Sequence, residues 1–206
     1  MKEREADSKR QYAAIARTYD AETKFIAGIR QRAIAALCLR QGETVLDGGC
    51  GTGWCLPLLS AGVQQSGHVI GFEPSPDMLA LARVRVAKQN LSNVALIQAC
   101  GETVVLDRAP DAILFSYTHD LIRSHVSLEN IFRQAKSGTR IVAVGTKFFP
   151  KWFFVGNWYL LKTHQVTITN FEGFDQPWTL LAAFCTDYSV RTTAPGSRYL
   201  FAGRLP

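Results

Sequence analysis

The rhythm of apolar and polar positions changes near residue 44. Before it, Tyr12, Ile15, Ala16 and Tyr19 recur at helical spacing, and Phe25, Ile29, Ile34, Leu37 and Leu39 form a second such run. Asp20 is placed to cap that second run, and Gln41-Gly42-Glu43 stops it. After it, short apolar runs alternate with helical patterns. Strands are predicted at Thr44 to Asp47, His68 to Glu73, Val94 to Ala99, Asp111 to Tyr117 and Arg140 to Thr146. Helices are predicted between them at Trp54 to Ser60 (closed by Gly62), Asp77 to about Gln89, and Leu128 to Lys136 (stopped at Gly138). Strands that are nearly continuously apolar and alternate with helices predict a parallel sheet covered on both faces.

The last third reads differently. Phe148 to Leu161 is rich in aromatics, Trp178 to Phe184 is a predicted helix, and Tyr188 to Thr193 and Arg198 to Gly203 are two strands joined at Pro195-Gly196. The expected fold is therefore α/β, a mostly parallel sheet closed by an antiparallel C-terminal hairpin. With no internal repeat or long linker, residues 1–206 read as a single domain: a helical cover (1–40), a core (41–146) and a variable region with the hairpin (147–206).

Composition narrows the class. At 47% hydrophobic and 19% charged, the chain is ordinary for a globular protein. Its net charge of +6 is scattered and favours no nucleic-acid reading, there being no basic arm or appended binding module. Five cysteines without a CxxC pair or zinc-ligand spacing suit reduced thiols and predict no metal site. A charged N-terminal segment and the absence of an apolar run near 18 to 20 residues lead us to expect a soluble, cytoplasmic protein.

The chemistry gathers at Val45-Leu46-Asp47-Gly48-Gly49-Cys50-Gly51-Thr52-Gly53, a strand running into an acid and a cluster of glycines. Glycine lets the main chain approach a ligand closely, and such a turn after a parallel strand is where open α/β sheets bind nucleotides. A dinucleotide fingerprint requires a third glycine at 54 or 56, and Trp54 and Leu56 stand there, which argues against a nicotinamide oxidoreductase. Asp47 ahead of the glycines would repel a pyrophosphate and suits an ammonium, so the expected ligand is nucleoside-like with a cationic amino group. Glu73, at the end of the second strand, is placed either to accept from ribose hydroxyls or to cap the helix that follows.

These motifs resemble those of class I S-adenosylmethionine-dependent methyltransferases over about residues 40 to 146. The Asp47 turn resembles the family's first motif, Gly71-Phe72-Glu73-Pro74-Ser75-Pro76-Asp77-Met78-Leu79 its second, and Ser137-Gly138-Thr139-Arg140-Ile141-Val142 the approach to the fifth strand. The resemblance implies a Rossmann-like, doubly wound, seven-stranded sheet and S-adenosyl-L-methionine as cofactor, with S-adenosyl-L-homocysteine as product. It assigns the methionine moiety to Asp47, Gly49, Cys50, Gly51 and Gly53, with Ser116 nearby, the ribose to Glu73 with Pro74 beside it, and adenine packing to Met78. Tyr12 and Tyr19-Asp20 resemble the helices that cover the cofactor in the small-molecule branch, which includes quinone and phospholipid methyltransferases. One departure is Cys100, where the family usually carries an acid for the adenine amino group; Gly101 and Glu102 are the candidates to take its place.

The acceptor side is less defined. The fourth strand ends in Ser116-Tyr117-Thr118-His119, where His119 reads equally as a general base or as a residue packing the loop, and Tyr117 as a group near the sulfonium or the acceptor. His125 and His164 read as surface or cap residues. The aromatic run from Lys147 to Lys162 reads as a wall or lid over an apolar acceptor, as core packing, or as a membrane contact. The expected activity is methylation of a small, apolar or aromatic acceptor. The alternatives are a phospholipid N-methyltransferase at a membrane surface and a cofactor-binding protein without turnover.

Overall fold

The computed structural model describes residues 24–150, 152–164, 173–193 and 196–206. The helical pattern around Tyr12 and Tyr19, the cap at Asp20 and the candidate Tyr19 lie outside them. A 3-10 turn, Lys24–Ile26, leads into α1, Ala27–Ala36. The strands are β1 (Thr44–Gly48), β2 (His68–Phe72), β3 (Val94–Ile97), β4 (Ala112–Ser116), β5 (Arg140–Thr146), β6 (Asp187–Thr193) and β7 (Arg198–Arg204). The helices between them are α2 (Leu56–Val63), α3 (Pro76–Lys88), α4 (His119–Ile122), α5 (His125–Phe132), α6 (Phe154–His164) and α7 (Thr179–Phe184).

The seven strands form one sheet in the order β3-β2-β1-β4-β5-β7-β6. Strands β1 to β5 pair in parallel, and β7 lies antiparallel between β5 and β6. The alternation of side chains along a strand divides the core in two. Val45, Val69, Leu114 and Val142 pack on one face with Ile29, Ala33 and Leu37 of the α1 segment. Leu46, Ile70, Ile113 and Ile141 pack on the other with Leu128 and Ile131 of α5 and Phe201 of β7.

Three local readings of the sequence are corrected. The buried stripe of the first described helix is Ile26, Ile29, Arg30, Ala33 and Leu37, which keeps Ile29 and Leu37 of the predicted run, with Ile34 and Leu39 packed half-buried against it; Phe25 falls outside, 66% exposed, with Arg198 over its ring. Helix α2 runs through Gly62 and ends at Val63, before Gln64 at φ 60°. Gly62 serves packing, because a Cβ there would meet Leu39 Cδ1 at 2.9 Å. Helix α5 starts at His125, three residues before the predicted Leu128, because the Ser124 side chain accepts from the Ser127 N–H and caps it.

Candidate cofactor site

Strand order reverses at β1: α2 leads to β2 on one side, and the chain later returns to place β4 on the other. In an open α/β sheet this crevice, at the carboxyl ends of the strands, is where ligands bind. A small pocket opens there, lined by Arg30, Asp47, Gly49, Cys50, Gly51, Thr52, Trp54, Cys55 and Ser116.

The turn is held by its own backbone. Cys50 N–H donates to Phe72 O at 2.9 Å and Gly53 N–H to Cys50 O at 2.9 Å. Gly49, Gly51 and Gly53 all have positive φ, at 71°, 55° and 75°. At Gly53 a Cβ would also meet Leu56 Cδ1 at 2.7 Å and the Ala82 Cα at 3.2 Å, whereas at Gly51 it would stand in open space beside the pocket. The two glycines therefore separate folding from binding. Gly53→Ala is expected to cost about 2 kcal/mol or more and lower Tm by roughly 5 °C. Gly51→Ala is expected to cost only about 1 kcal/mol but to weaken ligand binding, as thermal melts beside calorimetric titrations would show.

Asp47 is 1% exposed, and its Oδ2 has no hydrogen-bond partner among the described residues. Burial pushes its carboxyl up to about 7; the Arg30 charge pulls it back down and Glu73 adds a smaller upward push. A buried carboxylate oxygen left this way on a pocket wall fits a donor supplied by a ligand, and a cationic one best. Arg30, 4% exposed, reaches the same pocket from α1, its guanidinium 5.3 Å from the Trp54 ring centre and 5.6 Å from that of Tyr117. The pocket thus carries both signs of charge, the complement of an amino-acid zwitterion.

Glu73 joins the two halves of the site. Its Oε2 accepts from Gly51 N–H at 3.0 Å and its Oε1 from Ser75 N–H at 2.9 Å. The cap of α3 is Ser75, whose Oγ accepts from Met78 N–H, so Glu73 braces the glycine turn and leaves the capping to its neighbour.

The other sequence candidates are more dispersed. Asp47, Gly49, Cys50, Gly51 and Ser116 line the pocket, and Gly53 sits beneath it against Ala82. Pro74 stands between Glu73 and the cap, and Met78 is buried one turn into α3. Glu102 accepts from the Ser124 and Ser127 hydroxyls at 3.1 and 2.7 Å, tying the loop after β3 to α5, and Gly101 packs on Ser127. Tyr117 takes φ 61° with its N–H donating to Val144 O at 2.8 Å, a left-handed conformation uncommon for an aromatic and concentrated at functional sites. His119 is 8% exposed; its Nε2 accepts from Thr146 N–H at 3.4 Å and its ring lies 5.0 Å from Phe174. His125 lies on the surface, 3.6 Å from Glu129. Burial and the Asp47 charge push the Cys50 and Cys55 thiols well up, so they line the pocket as neutral groups and not as nucleophiles.

Arg30, Thr52, Trp54 and Cys55 were not anticipated. Arg30 had a signal: a charge at a position where Ile26, Ile29, Ala33 and Leu37 set an apolar stripe.

Comparison with known proteins agrees with this geometry. Residues 45–138 match the family model described as a methyltransferase domain. The chain is 32% identical over 124 residues to an arsenite methyltransferase of Halobacterium salinarum, covering 58% of this chain and 31% of that protein. It is 31% identical over 122 residues to a demethylmenaquinone methyltransferase of Shouchella clausii, covering 57% of this chain and 51% of that protein. The chain thus spans between a third and a half of the length of these curated relatives. Among solved structures, a SAM-dependent methyltransferase from Aquifex aeolicus superposes with a TM-score of 0.71 at 20% identity, covering 94% of this chain and 98% of that one. The DhpI–SAH complex superposes with a TM-score of 0.65 at 19% identity, covering 98% and 97%. Residues 45–138 thus match a methyltransferase domain, on a fold shared with S-adenosylmethionine-dependent methyltransferases of solved structure and with the Asp47 turn at its switch point.

Proposed function

We propose that this protein transfers a methyl group from S-adenosylmethionine to a small, apolar acceptor. The observation that carries the reading is the buried Asp47 Oδ2, open for a hydrogen bond in a pocket shared with the Arg30 guanidinium. Asp47 would hold the cofactor's ammonium and Arg30 its carboxylate, which fixes the amino-acid tail at both ends. Glu73, with lone pairs beyond those used by Gly51 and Ser75, would take the ribose hydroxyls.

The cofactor, when bound, supplies a sulfonium methyl that passes to the acceptor's nucleophile by in-line displacement, leaving S-adenosylhomocysteine. The protein's part is then mainly positioning. Ser116 and Tyr117, at the end of β4, bound the side of the crevice next to β5, where an acceptor would approach. His119 is best read as a positioning residue, because its Nε2 lone pair already accepts from the Thr146 backbone and ties the start of α4 to the end of β5. A small acceptor is supported by the relatives named for demethylmenaquinone and arsenite.

The test separates the tail from the nucleoside. Arg30→Ala is expected to weaken S-adenosylhomocysteine binding by about 10- to 100-fold. Binding of 5′-methylthioadenosine, which lacks the amino-acid tail, should stay within about twofold of wild type. Equal losses for both ligands, or no binding of S-adenosylhomocysteine to the wild-type protein, would overturn the assignment.

A further inference from the structure

We propose that the segment from Pro150 into α6 docks on the surface of an anionic lipid bilayer. Soluble surfaces scatter their large apolar side chains singly; here they are grouped. Trp152 is 78% exposed, Phe154 73%, Val155 57% and Trp158 58%. Phe154, Val155 and Trp158 share one face of α6 by their spacing, and Trp152 precedes that face, its ring 5.7 Å from Phe153. Aromatic side chains of this size favour the headgroup level of a membrane.

Charge selects the occupant. Residues 147–164 contain Lys147, Lys151 and Lys162 and no Asp or Glu, in a chain of net charge +6. Beside them, Lys147 N–H donates to Ser197 O and Gly196 packs near Pro150, which sets the start of β7 and the Arg198–Phe25 pair along the same edge. An exposed apolar group in a segment whose sequence holds three lysines and no carboxylate matches anionic lipid, whereas a second copy of this basic chain would bring like charges together. The patch leaves β5 at the carboxyl edge of the sheet, the edge that also carries the pocket, so an acceptor residing in the bilayer would meet the site without crossing water. Docking itself goes beyond the methyl-transfer reading and does not depend on it.

The experiment is sedimentation with vesicles of phosphatidylcholine and phosphatidylglycerol (3:1), against phosphatidylcholine alone. The full chain is compared with a Trp152→Ala/Phe154→Ala/Trp158→Ala variant, and S-adenosylhomocysteine affinity is measured for both. Expected are at least about tenfold stronger partitioning to the anionic vesicles, loss of about tenfold or more in the variant, and unchanged S-adenosylhomocysteine affinity. Tryptophan quenching of the wild type by brominated acyl chains should accompany binding. Absence of pelleting, equal pelleting of variant and wild type, or a wild-type dimer by light scattering that the substitutions dissociate would overturn the proposal. S-adenosylhomocysteine binding would survive each of those outcomes if the cofactor reading is right.

Discussion

Asp47→Asn is expected to make the protein more stable at pH 8 while nearly abolishing cofactor binding. The carboxyl of Asp47 rises from 3.8 to about 7 because burial disfavours its charge. Holding it ionised in the folded protein above pH 7 therefore costs roughly 4 kcal/mol relative to the unfolded chain. The sign follows from proton uptake: between about pH 4 and 7 the folded protein binds the proton that the unfolded chain releases, so stability falls as pH rises and is flat above 7. An asparagine carries no such penalty. At pH 8 the variant should gain about 2–4 kcal/mol and roughly 5–10 °C in Tm, and at pH 5 less than half of that. Affinity for S-adenosylhomocysteine should fall about 100-fold, the worth of an ion-paired hydrogen bond to the ammonium. In the wild type, affinity should weaken by about tenfold between pH 8 and 6 as Asp47 takes up its proton. Thermal melts and titrations across this range test both halves; a variant that melts lower at pH 8, or a pH-independent affinity, would refute the assignment.

Glu73→Ala should lose on both counts. Both carboxylate oxygens already accept backbone N–H groups, from Gly51 and Ser75, in a largely buried place. Removing them leaves two donors without acceptors and loosens the turn, at a cost of about 3 kcal/mol. Glu73→Gln should be no milder, because its amide presents N–H to a backbone N–H at one of the two positions. Cofactor affinity is expected to fall about 100-fold or more. The ribose contribution can be isolated with the 2′,3′-dideoxy analogue of S-adenosylhomocysteine. Wild type should bind it much more weakly than the parent compound, and Glu73→Ala should bind the two alike. Full discrimination retained by the variant would leave Glu73 a brace of the turn alone.

The strands and their parallel arrangement were legible because their residues are buried on both faces, so that runs such as Val45-Leu46 and Ile141-Val142-Ala143 carry a signal no loop imitates. The glycine turn was legible for the same reason that it works: at Gly49 and Gly53 a side chain would meet both a left-handed backbone and close neighbours. What the chain concealed depends on neighbours remote in sequence. Gly62 reads as a stop until Leu39 is placed against it. Glu102 gives no sign in the sequence that its Oε1 accepts from Ser124, at the N-cap of α5, and from Ser127 within it. Arg30 carries a charge inside an apolar stripe, and only the placement of Trp54 and Asp47, distant in sequence, shows what it faces. The aromatic run after β5 stayed least legible because such residues have the composition of a core whether they face inward or outward.

The antiparallel placement of β7 has a consequence for biosynthesis. Until residues 198–204 leave the ribosome, β5 has no partner beyond β4, and β6 has nothing in the sheet to pair with. The nascent protein therefore carries an open apolar edge, Ile141 to Val144, until that strand emerges. Arrest of translation, or a stop codon, before Arg198 would release a chain disposed to aggregate through that edge, whereas the finished strand seals it with seven paired residues.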